Sequence, residues 1–400
     1  MKNLIYADNS ATTAIAGEVA EAMRPYLNEF FFNPSSLYAP AARVAEDVKA
    51  ARKIVANFLG GANESEVLFT SCATESNNTA IFGAAAANPK RRHLITSAVE
   101  HPAVLETFKE MKRRGCEITI LPVDRFGQIS MRDFVRSLRP EETLLISLMH
   151  ANNETGVLFP IAELSRIAKE TDSKILFHTD ATQSAGKIPF GLSTDFTHVD
   201  MFSFSGHKMH APKGIGVLFV RRGTPLAPLL FGGHQESGQR GGTENVPYII
   251  GLAKACELAQ TAYGEEERIR VLRDWLEAEI LANTTHVEVN GKGAARLPTV
   301  LNLACHFVEG ESLLLQLDAQ GICASSGSAC SSGSLEPSHV LRAMGVPFTA
   351  LHGSIRFSFS RYTTRAEVEK IADVFPKAIA NLRQLSPYWN QKNNTPCENV

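Results

Sequence analysis

Seven short, β-branched apolar runs recur between residues 66 and 220: EVLFT (66–70), HLITSA (93–98), EITILPV (117–123), TLLISLMH (143–150), KILFHTDA (174–181), MFSFS (201–205) and GVLFV (216–220). Helix-length amphipathic stretches lie between them, among them 42–58, 102–114 and 160–171. This alternation predicts an α/β fold with a largely parallel sheet and helices on both faces. Such sheets take their ligands beyond the carboxyl ends of the strands. The residues just after each run are therefore the ones to inspect.

The texture changes near residue 262. A charged helix over 265–283 leads to the apolar run TVLNLACHFV, a Gly/Ser-rich stretch, the strand-like GSIRFSFSR and a final helix. That helix is expected to open with a capping box, Thr364 to Glu367. Its apolar residues Val368, Ile371, Val374, Phe375, Ile379 and Leu382 form one stripe. These elements predict a smaller α+β domain, and the polar tail from Pro387 is expected to fray.

A formal net charge of −2 over 400 residues gives no electrostatic argument for nucleic acid or an anionic membrane. The seven cysteines (72, 116, 256, 305, 323, 330 and 397) are odd in number and lack metal-type spacing, which favours a reducing compartment over a disulfide framework. With no signal-like leader and no apolar stretch of about 20 residues, a cytoplasmic protein is expected.

The strand ends carry chemistry. EVLFT runs into SCATESNNTA, where Ala73 and Thr74 open a helix whose free amides suit a phosphate, although Thr is also an ordinary N-cap. His101 precedes a proline at another helix start and by itself reads as a capping or half-buried histidine. Asp180 and Gln183 end a buried strand, where an N-cap role and a ligand role are equally open. Ser205, His207 and Lys208 follow MFSFS directly. A lysine for a Schiff base, a carboxylate for a pyridine nitrogen and donors for a phosphate are what pyridoxal phosphate requires. Lys208, Asp180 and the set Thr74, Ser205 and His207 supply them.

One feature stands apart. The stretch CASSGSACSSGSLEPSHVLRAMG (323–345) places Cys330 among serines and glycines. Free cysteine is usually buried, whereas Gly/Ser runs behave as flexible chain. A thiol there is an accident of sequence or a reagent on a movable arm.

The segments YADNSATT, FNPSSLYAPA, TSCATESNN, EHPAV, HANNETG, HTDATQSAGK, SGHKMHAPKGIG, GGHQESGQRGGTEN and SGSACSSGSLEPSHVLRAMG occur in order from residue 6 to about 362. In these the chain resembles the cysteine desulfurases of the class V aminotransferase group, and it is most similar to their NifS branch. The resemblance implies a fold-type I pyridoxal-phosphate transferase, with a large domain over 16–262 and a small domain from 1–15 and 263–400. Lys208 would carry the cofactor, Asp180 would hold the proton on its pyridine nitrogen, and Gln183 would contact its ring hydroxyl. His101 would stack on the ring and assist proton transfer. Ala73, Thr74, Ser205 and His207 would bind the phosphate, with Thr243 reaching in from the partner of a homodimer. Asn153, beside the cofactor, and Arg356 would hold the substrate carboxylate.

Cys330 would be the nucleophile that takes sulfur from L-cysteine, leaving L-alanine and an enzyme persulfide. An iron–sulfur scaffold protein, of nitrogenase or of general cluster assembly, would receive the sulfur. No resident metal is implied; only Cys330 would touch an iron–sulfur cluster, one shared transiently with the scaffold. A free thiol of pKa about 8.5 is only a few per cent thiolate near neutrality, so the site or a base such as His101 would have to activate it. The chain departs from the family pattern at Tyr38, Cys72, Ser237, Gln239 and Ser331, none of them a catalytic position. Another class V enzyme, such as an aminotransferase or a selenocysteine lyase, would not need the Cys330 arm. A sulfur carrier without catalysis would not need Lys208 and Asp180.

Overall fold

The computed structural model describes residues 4–326, 337–393 and 395–397. Its largest sheet has seven strands: β1 (Val67–Thr70), β2 (His93–Ser97), β3 (Glu117–Leu121), β4 (Thr143–Ser147), β5 (Leu176–Asp180), β6 (Met201–Ser205) and β7 (Gly216–Val220). The spatial order is β1-β7-β6-β5-β4-β2-β3. Only β7 runs against the rest, pairing antiparallel with β1 and β6. The seven expected runs are thus the seven strands, trimmed at their ends.

Alternation along the central strands builds a core on each face. Leu176, Met201 and Leu218 point to one side, against Ala80, Ile81, Val104 and Phe108. Those four belong to helices α2 (Ala73–Ala87) and α3 (Pro102–Arg113), which follow α1 (Ala39–Phe58) in the chain. Phe177, Phe202, Phe204, Val217 and Phe219 point to the other side. There they share a core with Val44, Val48 and Val55 of α1, with Leu164 of α4 (Ile161–Thr171), and with Ile249 and Leu252 of α5 (Val246–Thr261). Each large apolar side chain so buried contributes about 1.5–3 kcal/mol. The strands carry such residues on both faces because neither face meets water.

A second, antiparallel sheet contains Ser325–Ser326, Ser354–Ser358, Val300–Cys305 and Val287–Val289 in that spatial order. Its core joins Leu301, Leu303, Ile355 and Phe357 to Leu276, Ile280, Leu313, Phe375 and Ile379 of the flanking helices, and Ala7 enters it from the other end of the chain. Residues Ile5–Tyr6 pair with Ile322–Cys323. The last helix, Arg365–Leu385, begins with the expected capping box at Thr364 and Glu367.

The tail departs from expectation. Trp389–Asn390 pairs with Thr395–Pro396, and Trp389 is buried with the Arg383 guanidinium 4.6 Å from its ring centroid. One tryptophan with a cation over its face is enough to hold a segment whose composition is otherwise polar. Among the described residues no helix is long and apolar enough to cross a membrane.

Candidate active site

The carboxyl ends of β1, β4, β5 and β6 surround a cavity of about 330 Å³. Ala73, Thr74, His101, Asn153, Asp180, Gln183, Ser205, His207, Lys208 and Arg356 all line it. Those positions span almost three hundred residues of sequence, and the fold brings them to one place. Thr243 is exposed and does not line the cavity. Cys330 lies outside the described residues.

Lys208 ends a single helical turn after β6. Its Nζ donates to the carbonyl oxygens of Ser10 and Ala11, both at 2.7 Å. The N-terminal segment thus crosses the cavity and steadies the amine. Asp180 closes β5, and both of its oxygens accept hydrogen bonds: Oδ1 from the Thr182 amide at 2.9 Å and Oδ2 from Asn77 Nδ2 at 2.7 Å. The N-cap-like contact and the cavity-facing position open to Asp180 from sequence therefore coexist.

His101 likewise has both of its expected roles. It caps α3, where its Nδ1 accepts the Ala103 amide at 3.1 Å, and it also lines the cavity. Burial lowers its pKa, and Lys208 and His339 add to the lowering, while Asp180 opposes it. With Nδ1 accepting, the proton of the neutral ring sits on Nε2.

The turn before α2 lies directly on β7. A Cβ at Gly216 would come within 2.7 Å of the Cys72 carbonyl carbon, so only glycine permits the contact. Cys72, not Thr74, is the N-cap of α2, and it offers no side-chain bond to the helix amides. The first amides of a helix have no partner within it, and Ala73 and Thr74 at this end line the cavity together with Ser205 and His207. Burial, reinforced by Lys208, Lys213 and Lys187, brings His207 down to about 4, so its ring is neutral. Glu75, in the first turn of the same helix, is neutralised by Arg240 at 2.9 Å. This contact comes from the segment that carries Thr243.

Arg356 reaches in from the second sheet. Nη1 donates to the Asn153 carbonyl and Nη2 to Asp8, each at 2.8 Å. Gln183 donates from Nε2 to the Ser10 carbonyl at 3.0 Å.

The cavity suits a polar guest. Ser10 Oγ, Asn77 Oδ1, Thr182 Oγ1, Ser205 Oγ and Arg356 Nε are buried there without a hydrogen-bond partner. Buried polar groups are normally satisfied, so five such atoms on one wall set mark a site built around a ligand's own oxygens and nitrogens. An amine, an oriented carboxylate, a helix N-terminus and a guanidinium around that space match pyridoxal phosphate and an amino acid. Among the described residues no group of histidines, cysteines and carboxylates could hold a metal ion.

Ser10, Asn77 and Thr182 were not singled out from sequence. Asn77 had a usable signal: it lies four residues after Ala73 and so shares its helix face. Cys116, Cys256 and Cys305 are buried, and burial pushes the Cys305 thiol up to about 12.

The aminotransferase class-V family model matches residues 5–371. The chain is 51% identical over 390 residues to cysteine desulfurase 2 of Trichormus variabilis, covering 98% of this chain and 96% of that one. It is 49% identical over 395 residues to cysteine desulfurase NifS of Azotobacter vinelandii, with the same coverage of 98% and 96%. Among solved structures, a NifS-like protein superposes with a TM-score of 0.89 at 36% identity, over 95% of this chain and 100% of that chain.

Proposed function

The chain belongs to the class-V aminotransferase family, and we infer that within it the protein is a pyridoxal-phosphate-dependent cysteine desulfurase, which takes sulfur from L-cysteine and leaves L-alanine. The observation that carries this reading is the convergence of Lys208, Asp180, His101 and Arg356 on one cavity rich in unsatisfied polar atoms.

When bound, pyridoxal phosphate supplies an electron sink for the substrate's α-carbon. Lys208, already aimed by two carbonyls, would hold the cofactor and would serve as the base for the substrate's α-proton. Asp180 keeps the proton on the pyridine nitrogen, its two oxygens oriented by Asn77 and Thr182. Ala73, Thr74, Ser205 and His207 hold the phosphate, and Thr243 of a second copy completes that cradle in a homodimer. Asn153 and Arg356 receive the substrate carboxylate. His101 lines the same cavity; because Ala103 occupies Nδ1, it would act as a proton donor through Nε2.

Cys330 attacks the substrate sulfur as a thiolate. The new S–S bond forms as the C–S bond breaks, and the electron pair stays with the substrate carbon, which is protonated to give alanine. Cys330 retains the sulfur as a persulfide and passes it to an iron–sulfur scaffold in the cytoplasm, for nitrogenase clusters or for general assembly. The relative named NifS supports the former.

The test is to incubate the purified, cofactor-loaded protein with L-cysteine. Alanine should form, and the peptide carrying Cys330 should gain the mass of one sulfur. No alanine from L-cysteine would overturn the activity, and alanine without a modified Cys330 would overturn the acceptor.

A further inference from the structure

Lys187 closes the segment HTDATQSAGK, and the reaction as described gives it no task. It stands behind Gln183, on the wall of a second, smaller cavity of about 50 Å³ that Lys208 also lines. Its Nζ donates to Gln183 Oε1 at 2.7 Å, while Gln183 Nε2 donates to the Ser10 carbonyl at 3.0 Å. The two ends of an amide are alike in shape, and only their partners distinguish them. An ammonium can only donate and a carbonyl can only accept. Both contacts therefore demand the same orientation: oxygen toward Lys187, nitrogen toward Ser10.

That orientation matters because the Ser10 carbonyl also accepts Lys208 Nζ at 2.7 Å. The Gln183 nitrogen and the Lys208 amine meet at one oxygen. In pyridoxal, the carbon that bonds a lysine and the phenolic oxygen are neighbouring substituents of the ring. A donor placed next to the lysine is placed for that oxygen. The amide nitrogen has two hydrogens; Ser10 takes one, and the other remains for the ring.

We propose that Lys187 is a positioning residue which, by holding the Gln183 oxygen, keeps the amide nitrogen turned toward the cofactor's ring oxygen and so stabilises that oxygen as the phenolate. The proposal rests on the pyridoxal-phosphate reading above. Burial, with Lys208 and Arg356 nearby, brings the Lys187 ammonium down to about 7. As the amine it still has hydrogens to donate, and Ser10 fixes the other end of the amide independently. The other charged or titratable side chains that line the smaller cavity with Lys187 and Lys208 are His210, Tyr263, Glu265, Glu266 and Arg361.

The experiment is a pH titration of the visible absorption of the loaded protein. A phenolate that loses its donor is harder to form, so Lys187→Met should raise the midpoint by about one pH unit, the scale of one hydrogen bond to a charged group. Lys187→Arg, which still donates, should stay near the wild-type midpoint. Gln183→Leu should give the same rise with Lys187 in place, and it carries the test should Lys187→Met not fold. The double variant should move no further than either single one. An unchanged midpoint in Lys187→Met overturns the proposal, as does a rise that adds to that of Gln183→Leu, since Lys187 would then act by its own charge. Wild-type protein that takes up no pyridoxal phosphate would overturn the functional reading itself.

Discussion

Asn77, on the first turns of α2, donates its side-chain amide to Asp180 at the end of β5 across 2.7 Å. The helix proposed to present its amides to the phosphate therefore also orients the carboxylate proposed to serve the pyridine nitrogen. On that proposal, one element would hold both ends of the cofactor. Asn77→Ala should lower cofactor affinity about tenfold, since one hydrogen bond to a charged group is lost from the site. Titration of the cofactor-free protein with pyridoxal phosphate measures it, and unchanged affinity would show that Thr182 alone suffices.

Lys208 is the amine proposed to carry the cofactor. Lys208→Ala should leave a cofactor that washes out after borohydride treatment and denaturation, where the wild-type protein keeps it attached. Alanine formation should fall by roughly a thousandfold or more, the range of a lost general base. Covalent retention in the variant would assign the attachment to another amine.

The large sheet was readable because each of its strands is a short, mostly apolar run bounded by helix-length or turn segments. Asp180 and Lys208 were readable because a charged residue just after a buried strand needs a reason. Ser10 was not, since its contribution is a backbone carbonyl, for which side-chain identity carries no signal. Asp8 was missed for a different reason: its partner Arg356 lies 348 positions away in the chain, and no local period connects them. Trp389 shows the limit of composition, because one buried ring outweighed the polar residues around it.

Glu100 adjoins His101 and is wholly buried. Its Oε1 accepts from Ser97 Oγ at 2.7 Å and from the Met149 amide at 3.0 Å, while Oε2 has no partner. Burial pushes its pKa up to about 8, against the pull of those two bonds and with Asp180 adding to the rise. The folded state thus keeps a proton that the unfolded chain releases near an ordinary glutamate value of about 4.3. The stability linked to that proton is full below the lower value and gone above the higher one. Glu100→Gln should therefore gain stability relative to the wild type as pH rises from about 4.3 to about 8, with no further gain beyond. Denaturant unfolding of both proteins across that range checks it, and a difference independent of pH would refute the raised pKa.

The proposed role of Cys330 separates the chemistry at the cofactor from the fate of the sulfur. Cys330→Ala should bind pyridoxal phosphate as the wild type does and should still show spectral change on adding L-cysteine, yet release no sulfide and form no persulfide. Full turnover in that variant would move the nucleophile elsewhere.

Arg356, which lines the cavity, holds Asp8 through Nη2 and the Asn153 carbonyl through Nη1, and its buried Nε has no hydrogen-bond partner. The guanidinium is thus immobilised before any substrate arrives, and little rotamer freedom remains to be lost on binding. A lysine cannot reproduce this, because an ammonium on a flexible stem lacks the planar fork that meets Asp8, Asn153 and a carboxylate at once. Arg356→Lys should raise KM for L-cysteine by about ten- to a hundredfold, the cost of one charge-assisted hydrogen bond or slightly more. With substrate saturating, kcat should change much less, since the reacting groups Lys208 and Cys330 are untouched. A variant that instead lost kcat at unchanged KM would place Arg356 in the chemical step and not in substrate binding.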